Sequence, residues 1–159
     1  NKTMTTLSKG DKAPAFTLVN TDKKEVSLAD YNGKNVLILF FPLAFTSVCT
    51  AELCSARDNM AAYNDLDTVV LGISVDSPFT LGEFKKQQQI NFELLSDFNK
   101  TTAAAYGALY EDFVLGMKGV ARRAAFVVDK NGDIAYAEVL EDAGQLPDFE
   151  AIKQTLASL

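Results

Sequence analysis

The run Asn35-Val36-Leu37-Ile38-Leu39-Phe40-Phe41-Pro42-Leu43-Ala44-Phe45-Thr46-Ser47-Val48-Cys49 decides the fold. Its first seven residues are almost wholly apolar and of strand length, the pattern of a strand covered on both faces of a sheet. Pro42 cannot donate to a strand ladder and stops the run. Leu43 to Val48 make a short connection. A helix is predicted from about Cys49 to Asn64, where Leu53, Ala56, Met60 and Tyr63 recur at spacings of three and four. Sheets of this kind carry their sites at the carboxyl ends of their strands, and Pro42 to Cys49 lies at such an end.

The rest of the chain fits around that strand. Ala15 to Asn20 and Glu25 to Leu28, joined by the turn-like Thr21-Asp22-Lys23-Lys24, read as an edge hairpin. Thr68 to Val75 is a second buried strand. Asp76-Ser77-Pro78 opens a helix from about Phe79 to Gln89, with Ser77 as N-cap and Pro78 at its first position. Phe92 to Leu95 reads as a short strand, Thr101 to Tyr106 as a short helix, and Ala124 to Asp129 as another buried strand. Asn131-Gly132 marks a hairpin into Ile134 to Val139, and Pro147 to Leu159 is an amphipathic helix. Strands alternating with helices, with hairpins at both ends, predict an α/β mixed sheet with helices on both faces. Without repeats or linkers, residues 9–159 read as one domain, and residues 1–8 as a flexible tail.

Composition narrows the chemistry. With 48% hydrophobic and 23% charged residues, the 159-residue chain matches one globular domain with an ordinary core. The histidine count of zero removes Ser-His-Asp and Cys-His activation, histidine metal sites and histidine pH switches. A net charge of −6 has the wrong sign for gathering phosphate backbones, so no nucleic-acid partner is expected. No stretch reaches the roughly 18 consecutive apolar residues of a membrane span. Two cysteines are too few for a disulfide scaffold or a cysteine-only zinc site, so no metal is predicted and the expected setting is a reducing one, the cytoplasm.

Cys49 is the candidate nucleophile. A thiol attacks as thiolate, and the first turn of a helix supplies free N–H groups and a positive dipole end that favour the anion. Lowering a thiol pKa from about 8.5 to about 6 raises the thiolate fraction at pH 7 roughly thirtyfold, a modest gain. A fast enzyme also needs a cation and directed donors where charge develops. Thr46 carries a hydroxyl within one turn of the sulfur, and Pro42 stiffens the loop. The candidate cation is Arg122 or Arg123, at the start of a buried strand. Side chains alternate along a strand, so at most one of the two reaches the sulfur.

The loop carries Pro-x-x-x-Thr-x-x-Cys from Pro42 to Cys49, and the chain resembles the peroxiredoxins, thiol peroxidases of thioredoxin-like fold. Further matching segments are Ala13 to Phe16, Val70 to Asp76, Leu94 to Asp97 and Arg123 to Asp129. The resemblance implies a thioredoxin-like fold with an N-terminal β-hairpin, no cofactor, and a peroxide as substrate. It makes Cys49 the peroxidatic nucleophile and has Thr46 bond the peroxide, while Pro42 shields the sulfur. The backbone N–H groups of Val48 and Cys49 face the peroxide oxygens. The family register, an arginine three residues before the strand phenylalanine, selects Arg123 over Arg122. Glu52 matches a family glutamate that holds an arginine in place; by position alone it is equally an ordinary first-turn carboxylate.

Cys54 has two readings. The spacing Cys49-x-x-x-x-Cys54 resembles the peroxiredoxin Q, or bacterioferritin comigratory protein, group, in which a second cysteine resolves the first and thioredoxin reduces the disulfide. The loop itself looks closer to the alkyl hydroperoxide reductase E group, commonly one-cysteine enzymes reduced by other thiols. Five residues along an unbroken helix give about 7.5 Å of rise and some 500° of turn. A disulfide needs α-carbons within about 7 Å, so local unwinding would be required. Resolution by Cys54 is the expectation, and a passive helix thiol the alternative. The resemblance also implies a homodimer through the loop edges, where Gly116 and Gly119 bracket a loop. A thiol-disulfide oxidoreductase, which ordinarily carries Cys-x-x-Cys, and a redox sensor are the competing functions.

Overall fold

The computed structural model describes residues 6–159. The chain begins with the expected hairpin, β1 (Thr17–Asn20) and β2 (Glu25–Ser27), and continues into β3 (Asn35–Phe40), all six of whose residues are buried. Next come α1 (Ser47–Asp58), α2 (Met60–Asp65), β4 (Thr68–Ser74), α3 (Pro78–Gln88), β5 (Glu93–Ser96) and α4 (Thr101–Ala105). Then follow β6 (Leu109–Tyr110), β7 (Val120–Ala121), β8 (Ala124–Val128), β9 (Ile134–Val139) and α5 (Phe149–Ala157).

Seven strands form one mixed sheet in the order β2-β1-β5-β4-β3-β8-β9. The β3, β4 and β5 strands run parallel, whereas β8 joins β3 antiparallel. Alternation along β3 divides the core. Leu37, Leu39 and Phe41 pack with Leu53 of α1, Leu81 and Phe84 of α3 and Ile152 of α5. Val36, Ile38 and Phe40 face the opposite side and pack with Ala103 of α4, Tyr106 and Phe126. Helices therefore cover both faces, which explains why β3 reads as a continuous apolar run. Of the tail expected over residues 1–8, residues 1–5 lie outside the described residues, and Leu7 packs half-buried against the second cluster.

Two boundaries near the site differ from the sequence reading. The helix predicted from Cys49 begins two residues earlier, at Ser47, and breaks at Asn59, which joins α1 to α2 in a non-helical conformation (φ −105°, ψ 11°). Continuous apolar spacing hid that break because residues on both sides still face the same core. The two-residue strands β6 and β7 had no legible period; they pair Leu109 with Ala121 and Tyr110 with Val120 and clamp the loop between them. Ser77 caps α3 as expected, its hydroxyl accepting from the Thr80 amide at 3.1 Å, with Pro78 opening the helix.

Candidate active site

The loop after β3 is held from outside. The Asp76 carboxylate, just past the end of β4, accepts from the Ala44 amide at 2.8 Å and from the Ser74 hydroxyl at 2.7 Å. Phe45 adopts a left-handed backbone (φ +70°), which costs a residue with a side chain about 1 kcal/mol or more. Its ring packs edge-on against Phe84 with centroids 5.2 Å apart. That turn sets Thr46 at the N-cap of α1.

The Thr46 side chain does not cap the helix. Its hydroxyl donates to the Leu43 carbonyl at 2.7 Å, which leaves the oxygen lone pairs available as acceptors beside the cleft. Among the described residues, no acceptor meets the amides of Ser47, Val48 and Cys49, the first three of the helix. Cys49 is thus the third residue of α1, within the free-donor turn, and its side chain is buried; Pro42, also buried, lines the same cleft.

Arg123 follows β7 and directly precedes β8, and alternation there separates the two arginines as the sequence requires. Arg122 turns away and lies 5.0 Å from the Tyr110 ring centroid. Arg123 points inward at 2% exposure, a burial a guanidinium tolerates only when fully engaged. Its Nη2 donates to Cys49 Sγ at 3.3 Å and to the Ala143 carbonyl at 2.8 Å. Its Nε donates to the same carbonyl at 3.0 Å, and its Nη1 to Glu52 Oε1 at 2.6 Å. Glu52 and Ala143 thereby orient a planar cation onto the sulfur.

The charges in this cluster act on one another. Burial pushes the Glu52 carboxyl up to about 7, against the opposing pull of Arg123. Its Oε2 is buried without a partner, so only one face of the carboxylate is used. Burial works against the charge on Arg123, but Glu52 and Cys49 outweigh it and hold the guanidinium pKa above its ordinary value.

The sequence-predicted residues Pro42, Thr46, Val48, Cys49, Glu52 and Arg123 come together here. Cys54 does not join them. It is half-buried on the same unbroken helix, and its thiol donates to Gln88 Oε1 at the end of α3, at 3.5 Å. Both cysteines are free thiols. Sequence reasoning missed the Ala143 carbonyl, because a backbone acceptor has no residue signature. It also missed the Asp76 support, whose signal was a carboxylate two residues beyond a strand end.

A buried cysteine under free helix amides, touched by a guanidinium, suits attack on a polarised bond whose leaving atom gains negative charge. The AhpC/TSA family profile matches residues 9–137. The chain belongs to that family, the peroxiredoxins. It is 39% identical over 156 residues to the alkyl hydroperoxide reductase E of Mycobacterium tuberculosis, covering 96% of this chain and 98% of the relative. It is 37% identical over 135 residues to the peroxiredoxin Bcp of Escherichia coli, covering 84% and 86%. Among solved structures, a peroxiredoxin-like protein from Aquifex aeolicus superposes with a TM-score of 0.87 at 27% identity, covering 97% of this chain and 88% of that one. The fold is thioredoxin-like, and as a peroxiredoxin this chain is a thiol-dependent peroxidase. No helix among the described residues is long and apolar enough to cross a membrane.

Proposed function

We propose that Cys49 is the peroxidatic nucleophile and that Arg123, Thr46 and the amides of Val48 and Cys49 form the pocket for the peroxide. The carrying observation is the 3.3 Å contact between Arg123 Nη2 and Cys49 Sγ at the floor of an open cleft. The Cys49 thiolate attacks the terminal peroxide oxygen; the S–O bond forms as the O–O bond breaks. The departing alkoxide or hydroxide takes up a proton, leaving water or an alcohol and a sulfenic acid. Thr46 accepts a hydrogen bond from the peroxide O–H, Pro42 keeps water off the sulfur, and Arg123 faces the charge as it moves onto oxygen. Glu52 positions Arg123 rather than touching substrate.

Cys54 then attacks the sulfenic sulfur, expelling water and forming an intramolecular disulfide, which thioredoxin or another thiol reductant reopens. Their separation along α1 means that the helix unwinds for this step, and the Cys54–Gln88 contact is released. That same separation favours the alternative in which an external thiol attacks the sulfenic acid directly. A thiol-fed cycle suits the cytoplasm. Exposed Val114 and Leu115, on the loop beside the cleft, support a homodimer through the loop edges, which sedimentation tests directly.

Peroxide consumption by the wild type, Cys49→Ser and Cys54→Ser, each with thioredoxin and with small thiols, tests the whole scheme. Loss of activity in Cys49→Ser alone, with Cys54→Ser active only on small thiols, is the expected pattern. Turnover by Cys49→Ser would refute it.

A further inference from the structure

Three hydrogen bonds tie the turn of α1 that carries Cys54 to the end of α3 and the segment just beyond it. The left-handed cap at Gln89 (φ +52°) turns the amides of Gln89 and Ile90 back onto the carbonyls of Lys86 and Lys85. That leaves the Gln88 carbonyl at the open, negative end of α3. The Arg57 guanidinium fills the place, its Nη1 donating to the Gln88 carbonyl at 2.5 Å, while its Nε is steadied by Asp58 at 2.9 Å. Asn91 returns the contact, its Nδ2 donating to the Arg57 carbonyl at 3.3 Å. The third bond is that of Cys54 Sγ to Gln88 Oε1, at 3.5 Å. Cys54 and Arg57 are three residues apart on α1, so they share the face that meets α3.

We infer that Arg57 is a positioning residue for the resolving step: its bond to the Gln88 carbonyl holds Cys54 against α3, and so sets whether the Cys49 sulfenic acid meets Cys54 or an external thiol first. The inference rests on the reading of Cys54 as the resolving cysteine. In that step the S–S bond forms as the S–O bond breaks, and the hydroxide leaves as water with the Cys54 thiol proton, so no further oxidant or reductant enters. The two cysteines meet only after α1 unwinds between them, and the Arg57 bond opposes release of the Cys54 end. Disulfide formation therefore runs at the rate of attack multiplied by the fraction of molecules in which that end is free. An external thiol approaches Cys49 through the open cleft and needs no such release. The Arg57 side chain is 28% exposed, so water weakens its charged hydrogen bond, and the tie lowers the free fraction by roughly fivefold.

Two measurements test this, the first without peroxide. In a Cys49→Ser background Cys54 is the only thiol, and its labelling by a maleimide reports release of its turn. Adding Arg57→Ala should raise the labelling rate about fivefold. Arg57→Lys, whose ammonium can still donate to the carbonyl, should stay near the parent. Tyr106→Phe, which removes a hydrogen bond to the Pro14 carbonyl on the opposite face of the sheet, should leave labelling unchanged. In the chain with both cysteines, one equivalent of peroxide followed by acid quench and intact mass follows the sulfenic acid into the disulfide. Arg57→Ala should speed that conversion by the same factor and leave Cys49 oxidation by peroxide unchanged. With a fixed amount of small thiol present, it should also shift the product from mixed to intramolecular disulfide.

Labelling unmoved by Arg57→Ala overturns the tie, and labelling moved equally by Tyr106→Phe reduces Arg57 to an ordinary contributor to global stability. Faster labelling with an unchanged rate of disulfide formation overturns its control of the resolving step. Faster labelling with no disulfide in any variant would instead remove the resolving role of Cys54, the reading on which the inference rests.

Discussion

Arg123 and Cys49, 74 residues apart in sequence, meet with a nitrogen 3.3 Å from the sulfur, and the same guanidinium holds Glu52 and the Ala143 carbonyl. One planar cation thus serves three acceptors. Arg123→Lys keeps the charge but offers a single ammonium with no fixed fork, so it cannot reproduce that geometry. Cys49 oxidation by peroxide should slow by on the order of 100-fold, as for loss of a preorganised transition-state donor. Stopped-flow rates compared at equal folded fraction check this. An unchanged rate would show that bare charge near the sulfur suffices.

Glu52 makes stability depend on pH. Its carboxyl titrates near 4.5 in the unfolded chain and is pushed up to about 7 by burial in the fold. In the window between those values the native state keeps a proton that the unfolded chain has released. Its contribution to stability is therefore fully present below about pH 4.5 and is lost as pH rises to about 7. Urea midpoints across this range should decline for the wild type relative to Glu52→Gln, which has no proton to bind. Parallel profiles for the two proteins would contradict a buried, titrating Glu52.

Cys54 sits on the face of α1 that meets α3, where its thiol contacts Gln88. If it resolves the sulfenic acid, stoichiometric peroxide should leave the wild type about 2 Da lighter, as an intramolecular disulfide forms without net oxygen gain. Cys54→Ser should instead carry one added oxygen, trappable by a sulfenic-acid reagent. Intact-mass spectra of the wild type showing only oxygen or mixed-thiol adducts would assign resolution to an external thiol.

Tyr106 tests the opposite face of the sheet. It is buried among Phe16, Phe40 and Phe126, and its hydroxyl donates to the Pro14 carbonyl at 2.7 Å. Tyr106→Phe keeps the ring contacts and strands that carbonyl, so it should cost about 1–2 kcal/mol in denaturant unfolding. The rate of Cys49 oxidation should not change, because β3 separates this cluster from the site. A kinetic effect as large as that of Arg123→Lys would mean that the two clusters are mechanically coupled.

The parts legible in the sequence were those with a local signature. The apolar run of β3 announced burial on both faces, Ser77-Pro78 announced the start of α3, and Asn131-Gly132 announced the hairpin between β8 and β9. The choice of Arg123 over Arg122 followed from family register, and strand alternation is its physical basis: the two side chains leave the backbone in opposite directions. The break at Asn59 and the β6–β7 clamp were not legible. The first leaves the apolar spacing intact, and the second is too short to show a period.

Taken alone, the chain determined its layers and singled out Cys49 as the candidate nucleophile and an arginine directly before β8 as the candidate cation, because period, turn chemistry and residue type act over a few neighbours. Only the folded molecule decided what that cation touches, that Glu52 is buried with one oxygen unpaired, and that Cys54 faces α3 instead of Cys49. It also decided that Arg57 ties the Cys54 turn of α1 to the end of α3. These features are sums over segments far apart in sequence, including a backbone carbonyl at Ala143. Burial and charge at such a junction depend on which segments the sheet brings side by side.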